Sequence, residues 1–182
     1  MSQFLPFEFI NWAMRLLLVQ GVIIMFLLLN VVSFSMPHAG DFKPFFLLMV
    51  VYYWAIYRPT VMPVAYTFAL GLILDFLTEL PPGLSALVLL VLQTVVRRSR
   101  LFLMGQPYMM VWLGFGILTL AYTLSFWLLM SLANFQIVPM ASLVQMLVAA
   151  FLSVLLFPLA SLLLQGVHRL LPMDSNPLRS VS

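Results

Sequence analysis

The sequence predicts an all-α integral membrane protein: a compact bundle of six transmembrane helices with both termini in the cytoplasm. Three observations carry that prediction. Charge is scarce, with eight basic and five acidic residues in 182 and 64% of the chain hydrophobic, too little for a soluble domain of this size. The apolar residues come in runs of helical length, whereas a barrel would show ~10-residue alternating strands. The basic residues fall almost wholly between alternate runs, as the positive-inside rule requires.

The first predicted span runs from Leu16 to Ser35, behind a cytoplasmic tail of residues 1–15. Ser33-Phe34-Ser35 resembles a small-x-small cleavage site, but the apolar run before it is longer than a signal core of about 7–15 residues. Pro37, His38, Gly40, Asp41 and Lys43 then form a loop. The second span covers residues 44–57 and ends at the Arg58-Pro59-Thr60 turn; the third covers 61–77, with Pro63 in its first turn, where proline is tolerated. The fourth covers 83–96 and stops at Arg97, Arg98 and Arg100. Leu101 to Gln106 reads as an interfacial linker. Asn134, Gln136 and Pro139 divide the remaining apolar stretch into a fifth span, 107–132, and a sixth, 142–166, followed by a cytoplasmic tail, 169–182. Residues 1–182 thus make one transmembrane domain.

With this topology the cytoplasmic side holds Arg15, Arg58, Arg97, Arg98, Arg100, Arg169 and Arg179, and the outer side holds Lys43 alone. A five-span chain would put either the Arg97 cluster or the Arg169 tail on the wrong side. Trp12, Trp54 and Tyr57 fall at the inner interface, where an aromatic belt belongs. Spans two and four are short, about 21 Å against a hydrocarbon core of about 30 Å, and so are expected inside the bundle. The net charge of +3 follows from this topology and indicates no nucleic-acid partner. With no cysteine, disulfides and thiolate metal sites are excluded, and no cofactor motif is present.

Chemistry-bearing residues are few. Asp75 stands in hydrophobic sequence ahead of the Pro81-Pro82-Gly83 break. A mid-membrane carboxylate costs roughly 2.5–3.5 kcal/mol and usually faces protein. At helical spacing Pro63, Thr67, Gly71, Asp75 and Glu79 share one face. That face is either a close helix contact in which Asp75 bonds a neighbouring backbone, or a site for a ligand or partner near the outer leaflet. Thr67, Gly71, Asp75, Pro82 and Gly83 are the candidate residues for such a site. Arg58, Arg97, Arg98 and Arg100 are candidates for fixing topology or touching anionic lipid, the former being the commoner role.

Catalytic readings fail on geometry. Gly83-Leu84-Ser85 resembles the start of a rhomboid-type serine site, but its base would be His168, near the opposite face. An aspartyl intramembrane protease needs two membrane aspartates, and Asp75 stands alone. His38 and His168 lie on opposite sides and cannot share a metal. Pro158 is expected to kink span six, with Ser153 and Ser161 satisfying nearby backbone groups. Ala65 with Ala69, and Ala149 with Ser153, have the small-xxx-small spacing of internal helix contacts.

Read in order, Lys43-Pro44 opens a hydrophobic helix, Tyr53-Trp54 lies near its end, and Arg58-Pro59 makes the turn. Gly71 and Asp75 follow at spacing four, then Pro82-Gly83-Leu84 and Ala86-Leu87. Residues 43–90 in this order resemble the MreD family of bacterial rod shape-determining membrane proteins, and the rest of the chain fits by hydropathy. At Thr78-Glu79 the chain departs from the small residues usual in the family. The resemblance implies a non-enzymatic, multi-pass component of the bacterial inner membrane. Its implied partners are MreC, RodA and RodA's partner transpeptidase, and indirectly MreB filaments, in lateral peptidoglycan synthesis. On that view Asp75 and the Pro82-Gly83 break shape an outer-facing groove for a partner helix or a lipid-linked ligand. The alternative is the substrate-capture subunit of an energy-coupling-factor-type vitamin or metal importer. Such subunits often dock through AxxxA on the first helix, and span one here contains no alanine. A lone transporter or channel would want more polar midplane groups and a repeat.

Overall fold

A computed structural model describes residues 5–32, 34–36, 40–133 and 139–170, and side-chain environments for 17–32, 43–133 and 139–169. Ser33, Pro37, His38, Asn134, Gln136 and Arg179, and the side chains of Trp12, Arg15 and Asp41, lie outside the described set.

Prolines punctuate the chain. The helices are α1 (Leu5–Val31), α2 (Phe46–Tyr57), α3 (Val64–Leu77), α4 (Leu84–Arg98), α5 (Arg100–Met104), α6 (Tyr108–Ala133) and α7 (Met140–Leu170). Three of them, α3, α6 and α7, begin directly after Pro63, Pro107 and Pro139. A proline there lacks only an N–H that the first turn leaves unbonded anyway. Each of the six long apolar runs holds a helix, and α5 occupies the predicted linker.

Boundaries differ from expectation chiefly at the two ends of α1 and at the end of α7, which runs to Leu170, past the predicted 166. Helix α1 starts at Leu5, so much of the predicted tail is helical, and it stops at Val31 rather than Ser35. The loop that follows holds a two-stranded antiparallel ribbon, β1 (Phe34–Met36) with β2 (Gly40–Phe42), pairing Phe34 with Phe42. The β-branched pair Val31-Val32 marks the change to extended chain.

Helix α2 is the centre of the bundle. Leu47 to Ile56 are all buried, and α1, α4, α5, α6 and α7 all touch it. Its rings pack edge and face with those around them: Tyr52 against Phe115 and Phe157, whose own rings stack at 4.3 Å. Helix α4, also short, is not enclosed. Leu87, Val91 and Val95 are more than half exposed along one stripe, while the opposite face packs on α3.

The longest helices present apolar residues outward. Leu113, Ile117, Leu120, Leu124 and Leu128 form one exposed face of α6, and Leu155, Leu159 and Leu162 one of α7. Tyr108–Ala133 and Met140–Arg169 are long and apolar enough to cross a membrane; Leu17–Val31, Phe46–Tyr57 and Val64–Leu77 are shorter apolar helices. Such continuous apolar faces suit hydrocarbon and not water.

Candidate functional site

The carboxylate of Asp75 sits in the turn that joins α3 to α4. Helix α3 closes with a Schellman-type end: Thr78 N–H bonds the Leu74 carbonyl and Leu80 N–H the Asp75 carbonyl. This places Glu79 in the left-handed region at φ 56°, a position that glycine fills most easily. Gly83, at φ 95°, is also left-handed and precedes the first turn of α4. Having no side chain, Gly83 cannot cap that helix itself. Asp75 does so from α3, its Oδ2 accepting from Gly83 N–H at 2.9 Å and its Oδ1 from Ser85 N–H at 3.0 Å.

These two bonds to backbone amides help to offset the insertion cost of the carboxyl group. The acceptor oxygens also lie at the positive end of α4's dipole. Asp75 is fully buried.

Gly71, one turn earlier, sets the distance between the helices. A Cβ added there would lie 2.4 Å from Ala86 Cα, so only glycine permits this approach. Thr67 is likewise buried, its hydroxyl turned to the Pro63 carbonyl at 3.5 Å. The structure therefore brings Gly71, Asp75 and Gly83 together at the α3–α4 contact, with Thr67 buried one turn before Gly71 and Pro82 exposed on the turn. Of the two readings of this face, the observed contacts are those of the close helix contact. Ala65 and Ala69, expected to be internal, are exposed; the helices meet through the Gly71 face instead. Ala149 and Ser153 are buried.

Beside the turn lies a pocket of about 350 Å³. It exists because α2 is short. Its 12 residues reach about 18 Å, whereas the 26 residues of α6 reach about 39 Å. Phe45 at the start of α2 lines it, with Leu74 and Thr78 of α3, Ser85 of α4, Tyr122, Phe126 and Trp127 of α6, and Gln145 and Met146 of α7. Lys43 and Asn30 complete its polar edge. Ser85 Oγ and Trp127 Nε1 are buried without a hydrogen bond of ordinary geometry, although the Tyr122 hydroxyl faces Ser85. Sequence reasoning missed this pocket, since its residues come from six separate stretches with no common spacing.

Arginines organise the opposite end. Arg97 donates to the carbonyls of Pro59 at 2.6 Å and Met62 at 2.7 Å, and Arg100 Nε to that of Ile56 at 2.7 Å. Gln93 adds a bond to the Met62 carbonyl. These side chains close the C-terminus of α2 and the turn that carries Arg58; Arg98 is exposed. His168 is here too, stacked on Trp54 at 5.9 Å, with Nδ1 3.4 Å from the Tyr53 hydroxyl. Ser85 and His168 are thus at opposite ends of the bundle, as the geometric argument against a serine protease requires.

Pro158 lies inside α7 and cannot donate to the Val154 carbonyl. Trp112 Nε1 fills that gap at 2.8 Å. The two serines satisfy nearby backbone groups as expected: Ser153 bonds the Ala149 carbonyl and accepts from Phe45 N–H, and Ser161 bonds the Pro158 carbonyl and pairs with Tyr108.

The family model described as rod shape-determining protein MreD covers residues 9–167. No curated protein and no solved structure matches the chain at a significant level.

Proposed function

The chain belongs to the MreD family of rod shape-determining proteins, and from that premise we propose that it is a multi-pass scaffold of the bacterial inner membrane. In this reading it binds MreC and, through it, links MreB filaments to lateral peptidoglycan synthesis by RodA and its partner transpeptidase. The family match over residues 9–167 carries the proposal; MreD is a membrane family whose members are structural components of shape determination. The site geometry supports a scaffold. Asp75, the side chain best suited to chemistry, is committed to two backbone amides, and Gly71 to a helix contact. Thr67, Gly71, Asp75, Pro82 and Gly83 then serve a partner by holding the α3–α4 turn in shape. Arg58, Arg97, Arg98 and Arg100 face the cytoplasm in a six-span arrangement with both termini inside.

Depletion in the host tests this. Cells losing the chain are expected to round up, and wild-type protein supplied in trans to restore rods. Normal rods after depletion, with failed uptake of a vitamin or metal ion, would contradict the scaffold and favour the importer.

A further inference from the structure

The pocket beside the α3–α4 turn has a lining that asks for a ligand. Lys43 is exposed at its edge, and among the described residues no carboxylate pairs with it. Deeper in, the Ser85 hydroxyl, 1% exposed, faces the Tyr122 hydroxyl, and Trp127 leaves its buried indole N–H without an acceptor. A buried donor without an acceptor is unfavourable, so the Trp127 N–H marks a place where an acceptor belongs. Among the described residues no acidic side chain lines the pocket; Asp75 stands behind Ser85 with both oxygens engaged. The remaining wall is apolar, chiefly Phe45, Phe126, Met146 and Leu74. The volume, about 350 Å³, is in the range of small-molecule sites.

We propose that this pocket binds an amphiphile with an oxyanion head of net negative charge: the head meets Lys43 and the Trp127 N–H, and the first part of an apolar chain lies against the aromatic wall. The surroundings favour a lipid over a soluble anion. The flanking faces of α6 and α7 expose Leu124, Leu128, Val144 and Leu147, so hydrocarbon borders the pocket's walls. The proposal does not rest on the scaffold reading, because the purified chain alone suffices to test it.

The test is native mass spectrometry of the purified full-length chain in mild detergent, titrated with phosphatidylglycerol, phosphatidylcholine or inorganic phosphate. Wild type is expected to retain phosphatidylglycerol over phosphatidylcholine. Lys43→Ala is expected to weaken that retention about tenfold, the loss of one charge-assisted contact. Lys43→Arg is expected to keep most of it, and Trp127→Phe, which removes one N–H at nearly constant shape, to weaken it severalfold. Equal retention of the two lipids, or no loss in both Lys43→Ala and Trp127→Phe, would overturn the proposal. So would inorganic phosphate binding as tightly as the lipid, which would assign the site to a soluble anion.

Discussion

At the scale of single residues, Asp75 is a cap supplied from a neighbouring helix. Asp75→Ala leaves two amides unbonded and is expected to destabilise the protein by about 2–4 kcal/mol. Asp75→Asn, which keeps one acceptor oxygen, should cost about half as much. Unfolding in detergent, followed by tryptophan fluorescence, separates them; equal stabilities for the two variants would count against the capping role. Glu79 is the opposite case. Its left-handed backbone carries a steric cost that glycine avoids, and Glu79→Gly is expected to stabilise by up to about 1 kcal/mol in the same assay. Gly71 admits no replacement without separating α3 from α4. Gly71→Ala is expected to cost about 1–3 kcal/mol through overpacking, whereas Gly21→Ala, with open space around it, should gain helix propensity.

At the scale of elements, the short helix α2 is held by side chains from distant parts of the chain. Its first amides are met by Ser153 and Asn30, and the Ile56 carbonyl at its other end by Arg100. A buried helix needs every terminal group bonded, and here the partners are up to 108 residues away. That distance is why the sequence could announce the helix but not its caps. The helix itself was readable from an apolar run set between Pro44 and Arg58-Pro59. The small-residue spacing at Ala65 and Ala69 misled for a related reason: it signals that close approach is possible, without saying which face is used. Asp75 was readable as a residue with a task, because its insertion cost demands a compensating partner. The task itself depended on a left-handed Gly83 that spacing could not reveal. Trp112 belongs to the same class of remote partner. Trp112→Phe strands the Val154 carbonyl opposite Pro158 and is expected to destabilise by about 1–3 kcal/mol, with hydrogen exchange rising first around residues 154–158. Unchanged exchange there would show that another group satisfies the carbonyl.

For the molecule as a whole, the bundle has two chemically different ends. One carries the arginines that fasten the α2–α3 turn, and the other carries Lys43, the pocket and the α3–α4 turn. The scaffold reading places the arginine end in the cytoplasm. The absence of cysteine makes that simple to check. In spheroplasts, an impermeant maleimide should label Lys43→Cys directly and Ser99→Cys only after lysis; the reverse order would invert the topology. The membrane family, the apolar outer faces and the commitment of Asp75 and Gly71 to the α3–α4 contact all fit a protein that works by holding others in place. Co-purification tests that claim most directly: the tagged chain drawn from host membranes in mild detergent, with bound proteins identified by mass spectrometry. The account predicts that MreC is recovered with wild type and is reduced with Asp75→Ala in proportion to the loss of fold. Recovery of an ATPase pair with a coupling subunit, and no MreC, would contradict it.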